Sequence, residues 1–239
     1  MRLLNLLAAT GMAVALAFTG SAVAAPAGSA NWSGFYIGAV GSGGLYTVEQ
    51  EDYWCFNACN APTLQDWDAA IGGQVGVNWQ NGNLVLGIVG DFSTGFEQSE
   101  EVVFDSTGPD GVFWNADWNW YSTARVLVGM SSGNAMVYVT GGAAIVDVDY
   151  AVLEYDDGVI DCTATDCAAY SDTEVGYTAG AGVAFPIANN FNMTFEYIYV
   201  GLPWEKARYT TAGANATDDY VSWTTSAHLA RLGLVWQLN

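Results

Sequence analysis

Apolar and polar residues alternate along most of the chain in eight segments, and each segment ends at residues that favour turns. The segments cover residues 32–48, 70–79, 84–96, 118–130, 136–150, 173–185, 191–202 and 222–238. Alternation with a period of two residues predicts a β-strand with one apolar face, and no stretch with helical periodicity interrupts the series. The pattern therefore predicts an all-β fold, an eight-stranded antiparallel up-and-down transmembrane β-barrel.

The connections between the predicted strands alternate between short and long. Asn81-Gly82 forms a tight hairpin between the second and third segments, and short turns also follow the fourth and sixth segments. The long connections cover residues 51–67, 99–115, 154–172 and 203–221. Short periplasmic turns and long extracellular loops are typical of outer-membrane barrels, so both termini are expected on the periplasmic side. A soluble β-sandwich is the alternative, but its loops need not alternate in length.

The alternation also predicts which side chains face lipid and which face the lumen. In the seventh segment, Phe195 and Tyr197 face lipid and Glu196 faces inward. Aromatic residues near the two ends of the segments are expected to form girdles at the membrane surfaces. The predicted periplasmic girdle contains Trp32, Phe35, Trp79, Phe185, Phe191 and Trp236. The predicted outer girdle contains Phe92, Phe96, Trp118, Trp120, Tyr177, Tyr199 and Trp223.

The first residues of the chain have a different pattern. Arg2, the apolar run 3–18 and the small residues Ala22-Val23-Ala24 predict a secretory signal peptide that is cleaved after Ala24. A membrane anchor is the alternative reading, but the apolar run is too short to span a bilayer as a helix. We therefore expect a signal peptide over residues 1–24 and one outer-membrane β-barrel domain over residues 25–239.

Acidic residues greatly outnumber basic ones, with 25 Asp and Glu against 5 Lys and Arg and a formal net charge of −20. This balance argues against a nucleic-acid partner, because binding to phosphates depends on Lys and Arg. Many of the acids lie in the predicted long loops, where they are expected to form a solvated exterior. The alternative is that these loops bind divalent cations, since oxygen ligands suit Ca²⁺ and Mg²⁺, although no stretch has the spacing of a calcium loop. No cofactor is expected.

Four charged residues are predicted to share the lumen: Asp91, Arg125, Glu196 and Arg231. A charge inside a barrel must be paired or hydrated, so we expect an ion-pair cluster. Such a cluster could plug the lumen, or it could form the constriction of a narrow channel. The sequence does not separate these two interpretations.

The four cysteines form two close pairs, Cys55/Cys59 and Cys162/Cys167, in the first and third long loops. In an exported protein this clustering predicts disulfides. Pairing within each loop and pairing between the two loops both remain open, because spacing does not decide connectivity. A thiolate metal site is the rival reading, and the spacing and an oxidising compartment disfavour it.

An enzymatic reading would depend on the single histidine, His228, and on Ser226 two residues before it. Alternation puts both side chains on the outward face, as neighbours rather than as a positioned nucleophile and base. No third catalytic group is evident in the sequence. We therefore predict that the protein is not an enzyme and that it has no catalytic residues.

Four motifs in the predicted strands, taken together, have a specific likeness. They are Trp32–Gly38, Gly72–Gln80, Tyr138–Ala143 and Ala230–Leu234. They resemble the small porin-like outer-membrane β-barrel proteins, which are major surface antigens with an OmpA-like eight-stranded membrane domain. Members of that family usually end on an aromatic residue that the barrel-assembly machinery reads, whereas this sequence has Leu238 there, followed by Asn239.

The resemblance implies a place in the outer membrane of a Gram-negative bacterium, surrounded by lipid and lipopolysaccharide, with the barrel-assembly machinery as a partner. It implies no oligomeric state. The expected function is that of a non-enzymatic surface protein that contributes to envelope integrity and surface interactions. The alternatives are a narrow cation-favouring porin-like channel, and an adhesin or receptor that acts through its acidic extracellular loops.

Overall fold

The computed structural model describes residues 30–52, 63–104, 111–156, 159–160, 167–208 and 220–238, and they form one closed antiparallel sheet. The strands are β1 Gly34–Asp52, β2 Thr63–Asn81, β3 Leu84–Phe104, β4 Gly111–Ser132, β5 Ala135–Asp156, β6 Val159–Ile160, β7 Cys167–Ala188, β8 Phe191–Gly201, β9 Glu205–Arg208 and β10 Tyr220–Leu238. In the described part of the chain, no helix is long and apolar enough to cross a membrane.

The sheet closes because the first long strand pairs with the last. The β1–β10 register runs from Phe35 opposite Leu238 to Asp52 opposite Val221. The short β9 continues the wall after β8 by pairing with β10, and β6 extends the edge beside β5. Closure leaves no open edge in the membrane, where unpaired backbone groups are costly. The predicted eight-stranded up-and-down barrel is confirmed.

The long strands extend well beyond the predicted ones, into stretches that the sequence suggested were loops. Phe104 pairs with Gly111, and Leu153 pairs with Cys167. A strand of 22 residues such as β4 rises about 55 Å at the usual tilt, roughly twice the height of the apolar band of a barrel. The sheet therefore continues as a wall above the membrane.

The three short connections are tight hairpins at one end of the barrel, the end predicted to face the periplasm and named the periplasmic end for that reason. Gly82 and Gly133 have φ angles of 60° and 62°, in the left-handed region that two-residue hairpin turns require. Asn190 has a φ of 64° in the third turn. Asparagine tolerates this conformation better than other residues with a Cβ. The predicted positions of the three short turns are confirmed.

The two faces of the membrane-spanning part follow the predicted alternation of lipid-facing and lumen-facing side chains. Three residues that were predicted for the aromatic girdles lie elsewhere. Phe35, Trp79 and Trp236 are exposed on the lipid face, as expected. Trp32, Trp118 and Trp223 were predicted in the girdles, and this prediction was wrong because all three are buried inside the barrel. The side chain of Phe96 lies outside the described part of the chain.

The inward-facing Gly44 allows β1 and β10 to approach closely, because a Cβ there would overlap the carbonyl oxygen of His228. We expect Gly44→Ala to lower the free energy of unfolding of the refolded barrel by about 1–3 kcal/mol through this overlap. Gly41, on the lipid face of the same strand, has no atom within 4 Å of the corresponding position. Gly41→Ala is therefore the matched control, with a change within about 0.5 kcal/mol. Urea unfolding in detergent micelles measures both, and equal stabilities of the two variants would contradict the steric account.

Candidate functional site

The four charged residues predicted for the lumen lie together at its waist. Asp91 is on β3, Arg125 on β4, Glu196 on β8 and Arg231 on β10, and each faces inward because of its place in the alternation. Arg231 is directly opposite Glu196 in the β8–β10 pair. The barrel is narrow, so side chains from opposite walls meet across the lumen.

Each arginine of this charge cluster contacts both acids. Arg125 donates from Nη2 to Asp91 Oδ2 at 2.8 Å and from Nη1 to Glu196 Oε1 at 2.8 Å. Arg231 Nη1 lies 3.1 Å from Asp91 Oδ2 and 3.3 Å from Glu196 Oε2. Thr123 extends the network by donating to Asp91 Oδ2 at 2.7 Å and accepting from Arg125 Nε at 2.9 Å. Two positive and two negative charges balance, which makes their burial tolerable.

The half of the lumen above the charge cluster is filled with apolar side chains. Trp118 and Trp223 are only 1% exposed and belong to one continuous core with Leu229 and Ile198. Trp223 stacks on Tyr150, with ring centroids 5.2 Å apart. Buried side chains therefore occupy the lumen between the charge cluster and the outer end.

The periplasmic end of the lumen is covered by Trp32, whose indole lies beneath the charge cluster. Its Nε1 donates to Ser131 Oγ at 3.0 Å, and its backbone N donates to Gln80 Oε1 at 2.8 Å. Gln237 holds the same segment by donating from Nε2 to the carbonyl oxygens of Asn31 and Ser33, at 3.1 and 2.5 Å. A cavity of about 40 Å³ remains between Trp32 and the charge cluster.

A smaller polar group lies at the outer mouth, above the lipid-facing band, and consists of Tyr170, Glu174 and Glu205. Glu174 is buried and accepts a short hydrogen bond from the Tyr170 hydroxyl. Loss of hydration and the neighbouring Glu174 carboxylate raise the pKa of Glu205. Loss of hydration and Glu174 also raise the pKa of Tyr170. This group was not predicted from the sequence, although Glu174 has the same inward parity on its strand as Thr178.

His228 lies on the outer wall, within an aromatic contact. Its Nδ1 is 2.6 Å from the Tyr197 hydroxyl, and its ring meets Tyr199 edge to face at 5.1 Å. The arrangement is that of a girdle residue, with polar atoms near the membrane surface and rings toward lipid.

The remaining predicted sites lie mostly outside the described residues. Cys55, Cys59 and Cys162 belong to undescribed segments, and Cys167 is described only as the first residue of β7. The predicted disulfides and the divalent-cation sites in the loops therefore stay predictions. Among the side chains that are described, no group of three or more His, Cys, Asp or Glu could hold a metal ion.

Comparison with known proteins gives relatives that span most of the chain. The family described as outer membrane protein beta-barrel domain matches residues 13–219. The 31 kDa outer-membrane immunogenic protein of Brucella melitensis is 32% identical over 195 residues, which make up 75% of each chain. The 22 kDa outer membrane protein of Rhizobium leguminosarum is 30% identical over 178 residues, or 73% of this chain and 65% of that protein.

Solved structures of outer-membrane proteins are also similar, at low sequence identity. The outer membrane protein OprG from Pseudomonas aeruginosa is 11% identical over 87% of this chain and 98% of its own, with a TM-score of 0.47. Because the family match and the relatives cover most of the sequence, the chain belongs to the outer-membrane β-barrel protein family and is a protein of the Gram-negative outer membrane.

Proposed function

We propose that the protein is a non-conducting structural component of the outer membrane, which contributes to envelope integrity and presents an acidic surface to the medium. The filled lumen is the observation that carries this proposal. An ion that crossed the barrel would have to pass the segment around Trp32, the charge cluster and the apolar core around Trp118 and Trp223. Each of these barriers consists of buried side chains.

The charge cluster supports the proposal because its ion pairs oppose opening of the lumen. An ion could pass only if the buried ion pairs separated, and a buried charge that has lost its partner is strongly destabilising. The apolar core would still have to be displaced above the cluster.

The wall above the membrane supports a role at the cell surface. Its outward side chains include Glu49, Asp147 and Asp149, which are exposed or partly exposed. Asn119 Nδ2 donates to Asp147 Oδ2 and Asp149 Oδ2 at 3.2 and 2.6 Å, and so holds two like charges on one strand. Lipid and lipopolysaccharide are the proposed surroundings of the apolar band below, and the acidic wall favours cations over anions near the surface.

We expect the refolded protein to be silent in a planar lipid bilayer, because buried side chains of the Trp32 segment, the charge cluster and the apolar core lie across the lumen. The measurement is single-channel conductance on a sample whose heat-dependent gel migration first demonstrates a closed barrel. Steady openings with a cation-shifted reversal potential would contradict the proposal and favour the narrow cation-selective channel.

The envelope role has its own test in cells. A deletion strain should admit more of an apolar dye and become more sensitive to detergent, and the wild-type gene should restore the barrier. An unchanged barrier in the deletion strain, together with a silent bilayer, would contradict the envelope role and direct attention to surface binding by the loops.

A further inference from the structure

The wall above the membrane has a gap in its backbone hydrogen bonding between β7 and β9. The β7–β8 pairing ends at Tyr177 opposite Gly201, although β7 continues outward to Cys167. Pro203 then interrupts the chain, because it has no backbone N–H, and the chain resumes as β9, which pairs with β10. Among the described residues, 167–176 of β7 and β9 therefore face each other without a backbone ladder, and we call this boundary the seam.

Side chains close the seam where the backbone does not. At its lower end, Leu202 packs against the β7 backbone, since a Cβ on Gly176 would lie 2.9 Å from Leu202 Cδ2. Higher up, Glu174 of β7 and Glu205 of β9 contact each other through their carboxyl groups. The Tyr170 hydroxyl donates to Glu174 Oε1 on the same side of the seam. The carboxyl pair is therefore a direct connection between the two strands at the outer mouth.

An aromatic stack lies beside the carboxyl pair and consists of Tyr150, Tyr170 and Trp223. Trp223 is opposite Glu205 in the β9–β10 pair, so both side chains are on the inner face of the wall. Its ring stacks on Tyr150 of β5 and on Tyr170 of β7, with ring centroids 5.2 and 6.4 Å apart. Because Trp223 is only 1% exposed, the closed seam shields this aromatic stack from the medium.

The charged side chains that are described around the pair are all acidic. Loss of hydration, Glu174 and Asp172 all raise the pKa of Glu205. From β10 and β5, the aromatic stack presents uncharged rings. The side chains of Lys206 and Arg208 on β9 lie outside the described part of the chain. Two adjacent carboxyl groups in such surroundings favour sharing one proton, and they repel each other when both are ionised.

We propose that Glu174 and Glu205 form a proton-dependent latch that closes the seam at the outer mouth. While the pair holds one proton, a hydrogen bond between the two carboxyl groups joins β7 to β9. When the proton leaves, repulsion between the carboxylates separates the two strands and exposes the aromatic stack to the medium. The charge cluster and the Trp32 segment lie below the latch, so its release does not open the lumen, and the latch does not depend on the proposed function.

The direction of the pH dependence follows from the difference between the closed and the open seam. Burial beside Glu174 raises the pKa of Glu205 in the closed seam, whereas separation returns that pKa toward its ordinary value. The latch is therefore fully engaged below the ordinary pKa of a glutamate, and it is lost as the pH rises through the raised pKa. Because opening releases one proton within this window, the ratio of open to closed seam rises by up to about tenfold per pH unit.

The test measures the exposure of Trp223 in refolded barrels that contain fluorotryptophan. The ¹⁹F signal of Trp223 is assigned with Trp223→Phe, and a neutral soluble gadolinium chelate reports exposure through paramagnetic relaxation. In the wild type, we expect the relaxation of this signal to increase with pH and to follow the ratio of open to closed seam. In Glu205→Gln, the amide donates to the Glu174 carboxylate, so the relaxation should stay low at every pH. Glu174→Gln is a second variant with the same expected result.

Asp66→Asn is the matched control, because Asp66 is an exposed acid on β2, away from the seam. Its pH dependence should be that of the wild type. The Trp32 signal is an internal reference at the periplasmic end, and its relaxation should not change with pH.

Three outcomes would overturn the proposal. Constant relaxation of Trp223 in the wild type, with or without a step in its chemical shift, would mean that the seam stays closed. An increase in Glu205→Gln equal to that of the wild type would mean that opening does not depend on the carboxyl pair. A parallel increase at Trp32 would mean that the whole barrel loosens rather than the seam.

Discussion

Replacing Asp91 with asparagine is expected to lower the free energy of unfolding of the refolded barrel by about 3–5 kcal/mol. Asp91 Oδ2 accepts from Arg125, Arg231 and Thr123 at 2.8, 3.1 and 2.7 Å. Asparagine keeps the shape of the side chain but removes its charge. Two buried guanidinium groups would then share Glu196 as their only anion within the cluster.

Urea unfolding followed by tryptophan fluorescence, in micelles or vesicles, measures this change. Asp66→Asn is the matched control, since Asp66 is exposed above the membrane and its Oδ1 accepts only from the neighbouring Trp67 backbone N in the described network. We expect the control to change the stability by no more than about 0.5 kcal/mol. If both variants were as stable as the wild type, the charge cluster would contribute little to the fold, and its description as a tightly coupled network would be wrong.

Trp32→Ala is expected to have a similar effect, lowering the free energy of unfolding by about 3–5 kcal/mol. Trp32 is 4% exposed and packs against Leu127, Met136 and Tyr138, so alanine would leave a large cavity at the periplasmic end. The indole hydrogen bond to Ser131 would also be lost.

Trp32→Phe separates these two contributions. Phenylalanine keeps most of the packing and removes only the bond to Ser131, so a loss of about 1 kcal/mol is expected. The same unfolding measurement applies to both variants. Wild-type stability of Trp32→Ala would show that residues 30–33 are a loosely attached tail rather than a cover for the lumen.

The alternation of residues was enough to predict the barrel and the charge cluster. In a strand, the side-chain period is two, so each of Arg125, Glu196 and Arg231 could be assigned to the lumen from its lipid-facing neighbours alone. The cluster then follows from the small size of an eight-stranded barrel, which brings inward side chains of opposite walls together.

The wall above the membrane was not predictable by the same rule. There is no lipid outside it, so its outward face carries Asn119 and Asp149 rather than apolar residues, and the segments resemble polar loops. The aromatic residues Trp118 and Trp223 point inward there because the lumen is the more apolar side at that height. Their assignment to a girdle assumed that lipid continued to the ends of the strands.

Trp32 was misplaced for a related reason. A tryptophan near the membrane surface is usually in the girdle, and this general preference outweighed the local pattern. Trp32 nevertheless shares its parity with Tyr36 and Val40, which both face the lumen. The chain folds beneath the barrel before β1 begins at Gly34, whose φ of 124° only glycine adopts readily.

The pairing of β1 with β10 has a consequence for the order of folding. These strands lie far apart in the sequence, and the contacts between Phe35 and Leu238 close a longer loop than any other strand pair of the described sheet. Contacts between distant residues form slowly, because the entropy of loop closure is lost before the contacts compensate for it. Until β10 has been made and delivered, β1 and β8 have unpaired edges that the interior of a bilayer does not tolerate. Insertion and closure must therefore occur together, late and as one cooperative step.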